Sequence, residues 1–167
     1  MPIWRGCNPR PREHNRRAGE TSMDDAPLFD PSLDGWVQRN DEPGFIEMAG
    51  PIWERRGDDG LILGFVVRPM HCNRRGVLHG GMLMTFADQA LGLSAWEANA
   101  GSPQATIQLD THFIAAVDVG EFVQAETRIT RKTRSLIFMS GSIHVSGRVV
   151  ATAQGIWKTL QKERNEN

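Results

Sequence analysis

The chain has 167 residues, 40% of them hydrophobic and 23% charged, with 19 basic against 20 acidic side chains. That is one ordinary domain's worth, long enough to bury a self-sufficient core, and its composition excludes a disordered or fibrous protein. A net charge of −1 removes nucleic acid and anionic membrane as default partners. No run of about 20 apolar residues is present, so no bilayer-spanning helix is expected. Cys7 and Cys72 form no CxxC pair and cannot build a disulfide scaffold. With no secretory apolar core at its start, the sequence reads as a reduced, cytoplasmic protein.

The near-neutral total hides an uneven layout. Residues 1–22 carry Arg5, Arg10, Arg12, Arg16 and Arg17 against Glu13 and Glu20, a balance of +3 that leaves −4 for the rest. Broken by Pro2, Pro9 and Pro11 and without hydrophobic periodicity, this opening is expected to be disordered, or an over-extended start ahead of Met23. An Arg-rich transit peptide and an RNA-binding arm are the alternatives. The expected division is residues 1–30 for that segment, 31–162 for one domain and 163–167 for a tail. From Gly76 to Thr127, 52 residues contain no Lys or Arg, yet they hold Asp88, Glu97, Asp110, Asp118, Glu121 and Glu126. An acid buried in that stretch has no base nearby in sequence to pair with.

In chain order, residues 30–42 read as a short helix capped by Asp30 or Ser32. Gly60 to Arg68 is β-branched, bounded by turns and strand-like. His79 to about Ala98 is the clearest helix, opening on Gly80-Gly81 and stopping before Asn99-Ala100-Gly101-Ser102-Pro103. Four strands follow. Gln104–Ala115 alternates, with Ala105, Ile107, Leu109, Thr111 and Phe113 on one face. Glu121–Arg131 and Ser135–Val145 are joined through Lys132-Thr133-Arg134, and a Ser146-Gly147 hairpin leads into Arg148–Leu160. The order predicts an α+β domain, one long helix covered by a curled antiparallel meander. Because the helix is apolar nearly all round, from Met82 to Trp96, a second subunit is expected to cover what one small sheet cannot.

Asp88 sits in the middle of this helix among Met84, Thr85, Leu91 and Gly92, with no base in reach on the same helix. It either faces a polar edge without a role or is a catalytic carboxylate. His79-Gly80-Gly81 at the helix start favours the second reading. Unpaired amides there suit an anion or a developing oxyanion, and glycine lets a ligand approach closely. Gly80 and Asp88 are eight residues apart, roughly 12 Å along one helix. A carbonyl-oxygen donor and the acid serving that carbon must both lie within about 3 Å of the substrate. One chain cannot satisfy both. Two such helices antiparallel across a two-fold axis can, which predicts a composite site in a homodimer.

With Asn73, His79-Gly80-Gly81, Phe86-Ala87-Asp88, Thr106 and glycines at 141, 147 and 155 in place, the sequence resembles the hotdog-fold acyl-CoA thioesterases of the phenylacetate-type (PaaI-like) family from about Phe45 to Leu160. The resemblance implies thioester hydrolysis of an acyl- or aryl-CoA, with no cofactor beyond the coenzyme A of the substrate itself. It implies Asp88 as general base or as nucleophile, the Gly80 amide polarising the thioester carbonyl, Thr106 holding the attacking water, and Asn73 positioning the carbonyl or the carboxylate. His79 takes part in the chemistry or only caps the helix; its N-terminal position disfavours a charged imidazole. Gly81, Arg74, Arg75, Arg131, Lys132 and Arg134 are candidates for holding the coenzyme A moiety, and the loop cations are alternatively a solvated hairpin tip. Trp36, Phe45 and Trp53 either line the acyl pocket or are plain core. A dimer of dimers is the family expectation.

Rival chemistries lack their residues. No GxSxG accompanies the HGG, no P-loop or GxGxxG is present, and His14, His71, His79, His112 and His144 with the two cysteines make no metal-binding spacing. Cys72 reads as a buried thiol. A hotdog hydratase or dehydratase would set a His against the acid, and a non-catalytic acyl-CoA sensor would be expected to have lost Asp88. Both remain alternatives.

Overall fold

Why the long helix is covered on one side only follows from its own spacing. In the computed structural model, which describes residues 29–40, 43–58 and 60–160, helix α2 (Gly80–Ala98) buries Leu83, Phe86, Ala87, Ala90, Leu91 and Ala95. These recur at three- and four-residue steps and form one stripe. Each large member contributes roughly 1.5–3 kcal/mol by leaving water. Met84 and Trp96, equally apolar, stay 40% and 45% exposed. As expected for one small sheet, a single chain leaves part of the helix uncovered, because the sheet reaches only one flank.

That sheet contains β1 (Val37–Gln38), β2 (Trp53–Gly57), β3 (Gly60–Val66), β4 (Gln104–Phe113), β5 (Phe122–Lys132), β6 (Leu136–Val145) and β7 (Arg148–Thr159), with a short helix α1 (Phe45–Ala49) before β2. Its spatial order is β1-β2-β3-β5-β6-β7-β4, every pair antiparallel. The three hairpin-joined strands β5–β7 are the expected meander. β4 is not part of it: it crosses to the far edge and pairs only with β7. Ser146 and Gly147 both take positive φ, 48° and 79°, as a two-residue primed turn requires. On the helix-facing side of the sheet a Cβ at Gly141 would lie 3.2 Å from the Leu91 side chain and 2.7 Å from a β5 carbonyl, so only glycine admits this closeness.

Several expectations change. The helix expected over 30–42 is a single 3-10 turn, Pro31–Asp34, with Asp30 capping the Ser32 amide; the chain then extends into β1. β2 and α1 were not foreseen, since Trp53-Glu54-Arg55-Arg56 lacks the alternation of a half-buried strand. Trp36 is buried as core. It packs with Val66 and Phe122, beside Trp53, in a small second core on the sheet face away from α2, while Phe45 on α1 is exposed. The readings made for residues 1–28 and 161–167 lie outside the described residues. No helix among the described residues is long and apolar enough to cross a membrane.

Candidate active site

The segment ahead of α2 is held by a dense backbone network. After β3 a 3-10 turn, Pro69–His71, leads into a narrow loop in which Cys72 faces Leu78 and the Asn73 amide bonds the Val77 carbonyl at 2.9 Å. Asn73 Oδ1 accepts the Arg75 amide at 2.8 Å, an Asx turn, so its carboxamide oxygen is used in shaping the loop. Arg74 and Arg75 stand exposed at the tip. The Leu78 amide bonds the Val117 carbonyl at 2.8 Å and the His79 amide bonds the His71 carbonyl at 2.9 Å. The chain thus enters the helix from a fixed direction.

His79 is the cap. Its Nδ1 accepts the Gly81 amide at 2.8 Å, while its carbonyl accepts the amides of Met82 at 3.0 Å and Leu83 at 3.2 Å. A Cβ at Gly81 would fall 3.0 Å from that Nδ1, so glycine is what lets the imidazole fold back. Of the four amides that open the helix, three are satisfied. The Gly80 N–H has no acceptor among the described residues, and a helix N-terminus supplies partial positive charge at that point. Beside it lies an apolar hollow of about 330 Å³ lined by Leu78, Leu83, Phe113, Ile114 and Val117. A larger hollow, about 1130 Å³, runs along polar sheet residues such as Glu126, Arg128 and Gln154 and includes none of the candidate residues.

Two turns further on, Asp88 is half-buried on the flank facing β4. Thr106 donates its hydroxyl to Asp88 Oδ1 at 2.9 Å. A bulge makes this contact. The β4–β7 register shifts between Thr106 and Gln108, leaving Ile107 as the extra residue and turning Thr106 toward the helix together with Leu109, Thr111 and Phe113. The uninterrupted alternation read from the sequence put Ala105 and Ile107 on that face and Thr106 on the other; the bulge reverses those assignments. Among the described residues no cation pairs with Asp88.

The remaining candidates separate from this group. Lys132 donates to the Ala98 carbonyl at 2.6 Å, at the C-terminal end of α2. That places Lys132, with Arg131 and Arg134 beside it, about 27 Å along the helix from Gly80. The site as read from sequence also left out His71, which is 4% exposed and whose carbonyl carries the His79 amide. Nothing in the sequence pattern singles it out, because its burial depends on β3 and α1 packing around it.

One long helix against a curled, seven-stranded antiparallel sheet is the architecture of the hotdog fold. Residues 75–152 match the thioesterase superfamily. A Pseudomonas aeruginosa protein named "Putative esterase" is 30% identical over 114 residues, spanning 67% of this chain and 85% of that one. Acyl-coenzyme A thioesterase 13 of Mus musculus is 24% identical over 93 residues, 54% of this chain and 66% of its own. Among solved structures, zebrafish thioesterase superfamily member 2 aligns with a TM-score of 0.66 at 22% identity, covering 72% of this chain and 89% of its own. A mutant of the phenylacetic acid degradation protein PaaI from Thermus thermophilus aligns at 0.63 and 21%, covering 70% and 98%. The chain belongs to the thioesterase superfamily.

Proposed function

We propose that this protein hydrolyses an acyl- or aryl-CoA thioester to the free acid and coenzyme A. The observation that carries the reading is the Gly80 amide, which has no acceptor among the described residues while the amides of Gly81, Met82 and Leu83 are bonded. It suits a thioester oxygen that becomes an oxyanion as water adds, and such a donor contributes most where charge develops. Asp88 is the general base in this reading. It takes a proton from water, the resulting hydroxyl adds to the carbonyl carbon, and the tetrahedral species expels the coenzyme A thiolate. Thr106, already on the carboxylate, holds that water. The name of the mouse relative, an acyl-coenzyme A thioesterase, supports the substrate class.

Gly80, Met84 and Asp88 lie four residues apart and share a helix face, and Met84 is left 40% exposed there. In the proposed homodimer two copies of α2 cross antiparallel at Met84, at the 8–10 Å typical of packed helices, so that Gly80 of one copy meets Asp88 of the other. The free edge of β4 and the exposed Ile107, Phe113 and Ile114 suit the same interface. A pair of such dimers is the further assembly proposed. For the phosphates of coenzyme A we assign Arg74 and Arg75, beside the helix start, with Arg131 and Arg134 contributing only from the second copy. A chain with two cysteines and no CxxC pair fits a reducing setting, the cytoplasm.

The test is a panel of short, long and aryl acyl-CoAs read by released thiol. Turnover of at least one, abolished by Asp88→Asn, is the expected outcome; acyl-CoA binding with no thiol released from any of them would make the protein a sensor instead.

A further inference from the structure

His71 is the one buried polar or charged residue among the described residues, at 4% exposure. One ring nitrogen is held, and the other, Nε2, is buried without a hydrogen-bond partner among the described residues. Nδ1 accepts the Arg68 amide at 3.1 Å, the ring stands edge-on to Phe65 with centroids 5.5 Å apart, and the Ala49 carbonyl at the end of α1 faces it. An imidazole whose Nδ1 accepts an amide must be neutral with its proton on Nε2. Its backbone carbonyl then receives the His79 amide at 2.9 Å. His79 in turn holds Gly81 through Nδ1 at 2.8 Å. Gly80 lies between those two anchors, so the direction of its free N–H depends on where His71 sits.

We infer that His71 is a positioning residue: a buried neutral imidazole that locks the Arg68 turn to the helix cap, and so aims the Gly80 amide. The rate readout of this inference rests on the thioester-hydrolysis reading; its structural readout does not. The groups around the ring agree with a neutral state. Burial first, and the Arg68 guanidinium second, hold its pKa below the ordinary 6.5, while the Ala49 carbonyl opposes them. The other titratable neighbours are His79, across the backbone bond, and Cys72, whose thiol lies 3.5 Å from the Arg68 carbonyl and is pushed up by burial and by Asp118. Neither supplies a carboxylate that would stabilise a charged His71.

Two variants of the full chain separate positioning from bulk packing. In His71→Asn the amide oxygen can still accept from Arg68 and does not titrate; in His71→Leu the volume is kept and the acceptor is lost. At neutral pH, His71→Asn is expected to hold kcat within about threefold, while His71→Leu loses roughly tenfold or more in kcat with KM within about twofold, the pattern for a misaimed transition-state donor. Independently of turnover, amide hydrogen exchange at His79 and Gly81 should speed up at least about tenfold in His71→Leu and not in His71→Asn. Nitrogen NMR of the wild type should show the Nε2–H tautomer persisting below pH 6.5.

The sign of the pH effect follows from the lowered pKa. As pH falls from 6.5 toward the folded value, the unfolded chain binds more protons and wild-type stability declines, and His71→Asn removes that share of the decline. Unchanged kcat and unchanged exchange in His71→Leu overturn the inference, as does a His71 that is protonated at pH 7. If His71→Leu does not fold, the tautomer and the acid stability of His71→Asn decide. If the wild type releases no coenzyme A from any substrate, the proposed activity fails while the exchange and tautomer measurements still judge His71.

Discussion

The two ends of α2 are built on opposite principles. At the C-terminal end the polar groups are tied off: Lys132 donates to the Ala98 carbonyl at 2.6 Å, Arg56 grips Glu97 with bonds of 2.9 and 2.5 Å, and Asn99 donates to Thr159 at 3.1 Å. Gln104 reaches in from β4 to the Gly92 carbonyl at 2.7 Å, although its own Oε1 is buried without a partner among the described residues. At the N-terminal end the Gly80 amide has no acceptor among the described residues, while the amides of His79, Gly81, Met82 and Leu83 are bonded. A frayed helix would lose several hydrogen bonds together at its end. In the proposed reading, one amide left free among bonded ones is preorganised, because its neighbours need not rearrange when an oxyanion arrives.

The largest test of this contrast is at the acid. Asp88→Asn keeps the shape and a bond to Thr106 but cannot take a proton, so kcat should fall by about 10³-fold or more with folding unchanged. A variant retaining full rate in the thiol-release assay would place the base elsewhere. Next comes the amide itself. Gly80 is the first helical residue, where proline is tolerated, and His79 at φ −71° and ψ 133° already has the extended backbone that proline requires before it. Gly80→Pro therefore removes the N–H with the helix kept, and should cost about 10²–10³-fold in kcat. Gly80→Ala is its control. Its Cβ would rest 3.4 Å from the half-exposed Phe113 ring and the N–H remains, so most of the rate should survive. Equal losses in both variants would mean that crowding matters and the donor does not.

Mixing Asp88→Asn with Gly80→Pro tests whether the two ends meet across the dimer. Each mixed dimer has one site with both groups intact, and half the dimers in an equal mixture are mixed, so about a quarter of the wild-type rate should return. No recovery after confirmed subunit exchange would put both groups in one chain's site.

The sequence made α2, β5–β7 and the Ser146-Gly147 turn legible because each rests on local signals: periodicity, a glycine pair at one end, a stop segment at the other. The proposal that Gly80 and Asp88 meet across two copies rests on rise per residue alone. What escaped depends on contacts distant in sequence. β2 is recognisable only once β3 offers an edge, and the bond from Lys132 to the end of α2 joins residues 34 apart in sequence. The Thr106–Asp88 bond is the instructive case. Thr106 was picked out by resemblance, yet strict alternation would have turned its hydroxyl away from the helix. One bulged residue, Ile107, reconciles the two. Thr106→Val, which keeps the shape, should therefore cost about tenfold in kcat and leave stability nearly intact. A change no larger than the assay error would mean that Asp88 needs no help in placing its water.

The smallest effect is expected at the closed end, and it can break the contrast from the other side. Lys132→Met keeps the apolar stem and removes the ammonium from the last carbonyls of α2. A cation there contributes about 0.3–1 kcal/mol, which in a domain of this size lowers Tm by roughly 1–4 °C. If the ammonium only closes the helix, that shift is the whole phenotype, and KM for acyl-CoA stays put. Arg74→Ala or Arg75→Ala should do the reverse, raising KM a few-fold with Tm unmoved, since both stand exposed beside the open end. A Lys132→Met enzyme with unchanged Tm and raised KM would reassign the closed end to the substrate. The saturated hydrogen bonds at Ala98 and Glu97 would then describe a binding surface at rest.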